Sequence, residues 1–127
     1  MADPVVPTAE QSALLAGLPA DQPVVMINLL QFKQPDGESH YARYAREVGP
    51  HLDAVGASAL YAGTARAFVI GEGARPWWDA VLVVQYPTPA AFITMVTSEH
   101  YAEVHVHRAA ALERAELIAT SSWELQV

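Results

Sequence analysis

The chain contains no cysteine, which removes disulfides, thiolate metal centres and thiol nucleophiles from the chemistry open to it. Basic residues are scarce: Lys and Arg number 7 against 14 Asp and Glu, a formal net charge of −7. The cations are scattered (Lys33, Arg43, Arg46, Arg66, Arg75, Arg108, Arg114). They form no basic stripe of the kind that holds a nucleic-acid backbone, so nucleic acid is not an expected partner. No apolar run approaches the roughly 20 residues of a membrane span. The opening MADPVVPTAE lacks the basic region and apolar core of a signal peptide. No membrane association is expected, and a cytoplasmic setting is compatible with the missing thiols. Phosphate-binding glycine loops and a Gly-x-Ser-x-Gly elbow are absent, since Gly71-Glu72-Gly73 lacks the rest of either pattern. No pair of carboxylates stands out as an acid–base couple. Charge of both signs is low, at 17%, and hydrophobic residues reach 52%, against roughly 25% and 45–50% in average domains. That surplus of apolar surface needs cover, and a second copy of the chain is the simplest source.

What is present is an order of elements. At 127 residues the chain suffices for one core without staples. Residues 1–23 read as an N-terminal arm: Pro4 and Pro7 break regular structure, then Thr8 caps a short helix over Ala9 to Ala16, ended by Gly17 and Pro19. Residues 24–127 read as the domain. Val24 to Phe32 (VVMINLLQF) is apolar on both alternating faces, the pattern of a central strand covered on both sides. Gln34-Pro35-Asp36-Gly37 is a turn. A helix follows from Glu38 to about Val55, with Tyr41, Tyr44, Val48 and Leu52 on one stripe, a kink or restart at Pro50, and Gly56 as its stop. Ala57 to Glu72 reads as a long strand of small residues with a bulge or bend at Gly63. Trp77 to Tyr86 (WWDAVLVVQY) is the third strand. Thr88 and Pro89 open a helix carrying Phe92, Met95 and Val96. Ser98-Glu99 interrupts it, and a second helical run goes from His100 to about Arg114. Leu117 to Leu125 is the last strand, its Ser and Thr suiting an edge position. Strand, helix, strand, strand, helix, strand is the split βαβ plan. The predicted class is therefore α+β, a ferredoxin-like βαββαβ protomer with an antiparallel sheet.

Specific residues resemble a known family: Asn28 in MINLLQFK, the YARY of Tyr41 and Tyr44, Gly56, Trp78-Asp79, the YPTPAAF turn, and YAEVHVHR ending in Arg108. In order and spacing over about residues 24 to 120 they are similar to the family catalogued as domain of unknown function 1330. The resemblance implies a ferredoxin-like protomer that forms a dimeric α/β barrel. The wider superfamily includes cofactor-free monooxygenases, haem-degrading monooxygenases and dehalogenating enzymes, but the family brings no reaction with it. The N-terminal arm and the histidine-rich helix depart from its usual pattern.

Within this plan a few residues can carry chemistry. Asn28 is the lone polar side chain in an apolar strand face. Either backbone satisfies its amide, because an unpaired buried polar group costs about 1–3 kcal/mol, or it is a pocket donor for a substrate carbonyl or oxyanion. Arg108 shares the inward stripe of its helix with Tyr101 and Val104. It pairs with Asp79, Glu47 or Glu103 as a structural ion pair, or it anchors an anion in the cavity. Of the five histidines, His105 and His107 point about 200° apart on a helix, and His100 and His107 stand roughly 10 Å apart, so none chelates a shared ion. No metal and no cofactor is expected. His105, one turn after Tyr101, is the candidate general base, because imidazole titrates near neutral pH. Tyr41, Tyr44, Trp78 and Tyr101 line a pocket or pack the core.

These features lead to a homodimer through sheet faces that binds a small apolar organic molecule bearing a carbonyl or carboxylate. A cofactor-independent enzyme acting on such a molecule, monooxygenase- or isomerase-like, is the first alternative. A structural or regulatory dimer without ligand is the second.

Overall fold

Alternation of apolar side chains along Val24–Phe32 (β1) organises the molecule. In the computed structural model, which describes residues 6–126, Val24, Met26, Asn28 and Leu30 are buried and the intervening residues are half-buried. The break expected at Pro4 lies outside the described residues. β1 is central, paired antiparallel with β3 (Ala80–Tyr86) on one side and β4 (Leu112–Thr120) on the other. β2 (Ser58–Thr64) pairs antiparallel with β3. The order β2-β3-β1-β4 makes a four-stranded antiparallel sheet, and the fold is α+β and ferredoxin-like. The core lies on the face that carries Val24, Met26 and Leu30, where Tyr41, Tyr44 and Val48 of α2 (Gly37–Ala54) and Tyr101 and Val104 of α4 (Glu99–Ala111) cover it. α2 and α4 pack on each other, and α3 (Pro89–Val96) adds Phe92 and Met95.

Local chemistry explains the helix boundaries. The Thr8 hydroxyl accepts from the Gln11 amide and the Gln11 side chain accepts from Thr8, a capping box opening α1 (Ala9–Ala16). The Thr88 hydroxyl accepts from the Ala91 amide to cap α3, and the Ser98 hydroxyl accepts from the Tyr101 amide to cap α4. α2 runs through Pro50 without a restart, one of the two outcomes expected there.

Three strand boundaries differ from the sequence reading. β2 stops at Thr64 rather than Glu72 because its partner β3 begins at Ala80, opposite Thr64. Beyond that point the chain has no ladder to join, and residues 65–79 are irregular. The third strand correspondingly starts at Ala80, not Trp77. The irregularity in β2 falls between Ala59 and Tyr61, while Gly63 pairs regularly with Val81. A Cβ at Gly63 would stand 2.5 Å from the Tyr61 hydroxyl, the tip of an exposed side chain that would have to swing aside. The last strand runs from Leu112 to Thr120, displaced from the expected Leu117 to Leu125, and α4 ends at Ala111. LERAELIAT is rich in helix formers, but propensity is a weak prior. A ladder to β1 from Phe32↔Leu112 to Val25↔Thr120 outweighs it. The edge position of this strand is as expected.

Candidate functional site

The helix-facing side of the sheet and the inward stripes of α2 and α4 do not meet completely. Between them lies a cavity of about 1500 Å³ that continues around the free edge of β4. β1 contributes Met26 and Asn28, and β3 contributes Leu82, Val84 and Tyr86 from the same face. α2 contributes Tyr41, Tyr44, Val48 and Leu52 at helical spacing, and α4 contributes Tyr101, His105 and Arg108. Leu14 and Leu15 of α1 line one end together with Phe92 and Ile93 of α3.

The buried polar groups concentrate on one side of this apolar space. Arg108 and Asn28 are each only 7% exposed. The Asn28 amide donates to the Leu82 carbonyl at 3.1 Å, the residue opposite it in the β1–β3 register. That bond satisfies part of the amide from backbone and fixes its direction. Arg108 is hydrogen-bonded to the Tyr41 phenol. The Tyr44 and Tyr101 hydroxyls lie 2.9 Å apart, one donating to the other. Tyr101 stands between two imidazoles, His51 edge-on at 6.2 Å and His105 tilted at 5.8 Å between ring centroids. Burial pushes the Tyr41 phenol above its ordinary value, with Arg108 acting in the opposite sense. Burial also pushes Tyr44 well above its ordinary value, reinforced by Tyr101, and raises Tyr86. These phenols are neutral hydrogen-bond donors at physiological pH. Beside a guanidinium they suit a carboxylate, an enolate or a polarised carbonyl.

Asn28, Tyr41, Tyr44, Tyr101, His105 and Arg108 therefore come together. Trp78 does not: it sits in the irregular stretch before β3, outside the cavity lining. Its neighbour Trp77 holds the Arg114 guanidinium over its ring at 3.9 Å. Two of the carboxylates expected for Arg108 are engaged elsewhere. Asp79 takes Arg75 at 2.7 Å and the Phe32 amide at 2.9 Å, and Glu47 takes Arg43 at 2.8 Å and His107 at 3.3 Å. No group of three or more metal-ligating side chains gathers among the described residues, and no described helix is long and apolar enough to cross a membrane. The sequence reading missed Leu15 and His51, and also Tyr86. Tyr86 was accessible from the period of two along β3, once Val84 is placed inward.

The model of the family described as domain of unknown function (DUF1330) matches residues 24–121. The chain belongs to this family. A protein of unknown function from Rhodopseudomonas palustris is 30% identical over 98% of this chain and all of its own length, with a TM-score of 0.84. It extends the likeness through α1, which the DUF1330 match leaves out. Two more distant structures share the fold alone. One is a hydroxynitrile lyase from Passiflora edulis, 13% identical, covering 84% of this chain and 99% of its own, TM-score 0.61. The other is a dimeric protein of unknown function with a ferredoxin-like fold from Bacteroides fragilis, 7% identical, covering 82% and 100%, TM-score 0.54. No curated protein matches this DUF1330 chain.

Proposed function

We propose that this DUF1330 protein binds a small, largely apolar organic molecule through a carboxylate or carbonyl group, and that it does so as a homodimer. The observation that carries the reading is Arg108, a buried cation hydrogen-bonded to a neutral phenol on the wall of a mainly apolar cavity. Burying a guanidinium costs several kcal/mol. The guanidinium fork has the geometry that matches a carboxylate in two contacts.

The dimer rests on the opposite face of the sheet. Val25, Ile27 and Leu29 of β1, Val81 and Val83 of β3, and Ile118 of β4 share it, and in one chain they are left half-buried or exposed. Face-to-face packing of two such sheets gives the dimeric α/β barrel, and the dimeric description of the Bacteroides fragilis neighbour fits that assembly. The arm of residues 1–23 and the domain of residues 24–127 then act together around one cavity, in a cytoplasmic setting that asks for no disulfide.

One observation favours a second reading, a cofactor-independent enzyme. The Tyr44–Tyr101 hydroxyl pair beside His105 places a proton donor and an imidazole against the same space, the components of general acid–base chemistry. That one neighbour of the same fold is a hydroxynitrile lyase shows that the architecture accommodates catalysis.

A thermal-shift screen of carboxylates and carbonyl compounds against wild type and Arg108→Ala tests the binding reading. A ligand at 100 times its Kd adds about 2.7 kcal/mol, which should be present in wild type and lost in the variant. A folded Arg108→Ala that keeps every wild-type hit refutes the anchor.

A further inference from the structure

The cavity is long and its polarity is one-sided. Tyr41, beside Arg108, and Leu52 stand on one stripe of α2 eleven residues apart, about 16 Å along the helix axis. Beyond Val48 the buried and half-buried lining is hydrocarbon, from Leu52, Phe92, Ile93 and Leu15, with the exposed Gln11, Ser12 and Thr97 around it. α1 carries no buried residue, yet Leu15 packs against the core and faces this end. A compact aromatic acid seated on Arg108 would leave the far end unfilled. A flexible straight chain would run its length.

We infer that the ligand is an elongated amphipathic carboxylate, a straight acyl chain whose head lies at Arg108 and Tyr41 and whose tail lies beneath α1, with Leu15 and Ile93 setting the longest chain accepted. This deepens the reading given under Proposed function and rests on it. α1 then acts as the floor of a specificity pocket rather than as an idle leader. Its position outside the residues matched by the family model makes chain length a property that relatives with other leaders need not share.

The test titrates the full chain with the straight-chain carboxylates from hexanoate to tetradecanoate, with benzoate and cinnamate in parallel. Each added methylene should tighten the Kd about three- to fourfold, the gain of a methylene leaving water, up to a limit beyond which affinity stops rising. Leu15→Asp should weaken the longest acids at least tenfold and leave hexanoate unchanged. Ile93→Trp, which keeps the site apolar, should lower the limiting length, so the inference stands or falls even if one variant fails to fold. Aromatic acids that bind through Arg108 while the aliphatic series is flat would overturn the acyl-chain inference and leave the carboxylate site intact. A rising series whose limit neither variant moves would overturn the placement of the tail under α1. If no carboxylate of either kind binds wild type, the reading under Proposed function falls as well.

Discussion

The Tyr44–Tyr101 pair makes a sharp test of how dry and how organised the polar side of the cavity is. Both residues are buried, their hydroxyls are 2.9 Å apart, and their rings meet edge to face at 6.4 Å between centroids. Replacing either one by Phe keeps the ring contact and removes one oxygen. The remaining hydroxyl then loses its partner in a low-dielectric wall, which costs about 1–3 kcal/mol. Replacing both leaves no polar atom to desolvate, and such paired removals are close to neutral. Tyr44→Phe and Tyr101→Phe should therefore each destabilise by about 1–2 kcal/mol. The double variant should sit within about 1 kcal/mol of wild type, giving a favourable coupling of the order of 1–3 kcal/mol. Urea unfolding followed by circular dichroism reads these values, at one fixed protein concentration because association shifts apparent stability. Single effects that add in the double variant to within about 0.5 kcal/mol would refute the reasoning. They would mean that water solvates the two hydroxyls separately and that the pair does not form a unit.

Three further outcomes follow from other parts of the molecule. Burial raises the phenols of Tyr41, Tyr44 and Tyr86 above 10.0, so above about pH 10 the unfolded chain releases protons that the folded chain retains. The stability they contribute is complete below that pH and is lost as pH rises through it, by up to about 1.4 kcal/mol per unit for each tyrosine. Unfolding free energies from about pH 9 to 11 check this, Tyr86→Phe should lessen the slope, and a flat profile would contradict the burial argument. Gly37→Ala should destabilise by about 1–3 kcal/mol in denaturant titration, although Ala is the better helix former by about 1 kcal/mol. Its Cβ would stand 2.5 Å from the Ala111 carbonyl oxygen and 3.1 Å from Phe32, and a neutral or stabilised variant would show that the α2–α4 approach has slack. Ile27→Glu puts a carboxylate on the open sheet face opposite Val83 and Ile118. Burying that charge costs several kcal/mol, so light scattering should give a folded monomer where wild type gives two copies, and a variant that stays dimeric would move the interface elsewhere.

The sequence displayed whatever depends on local period. VVMINLLQF could be read as a doubly covered central strand because both of its parities are apolar, and Tyr41, Tyr44 and Val48 declare a buried helical stripe. Caps at Thr8 and Thr88 were equally legible, since each is a side chain bonding its own first turn. What stayed hidden depends on partners distant in the chain. Nothing within Ala57 to Glu72 marks Thr64 as the end of β2; that end is set by where β3 begins, some fifteen residues later. Leu112 to Thr120 is extended because β1 needs an antiparallel neighbour, against the preference of its own Glu, Arg and Ala residues. The same limit applied to the site. The inward stripe through Tyr101 and Arg108 was visible at helical spacing, whereas the Tyr41–Arg108 contact follows from how the helices dock and the exclusion of Trp78 from where β3 begins.

The two faces of β1 are separated by a single residue in the chain, and this ties the cavity to the dimer. Asn28 faces Leu82 and the helices, while Ile27 next to it faces Val83 and the open side. A slip of one residue in register would exchange the two sets, placing the amide in the proposed dimer face and an isoleucine in the cavity. Both partner strands hold β1 in one register across Asn28, against Leu82 on one side and Leu117 on the other. Side chains on the open face thus have a structural stake in the direction of the Asn28 amide without touching any ligand. Closing the barrel would clamp β1 further, since its odd-numbered residues would lose the freedom to shift. A homodimer would in this way serve the cavity mechanically, by holding the strand that carries its amide, even though Asn28 itself faces the helix side of each protomer. Ile27→Glu should then weaken ligand binding as well as association, an effect that a dimer unrelated to the cavity would not produce.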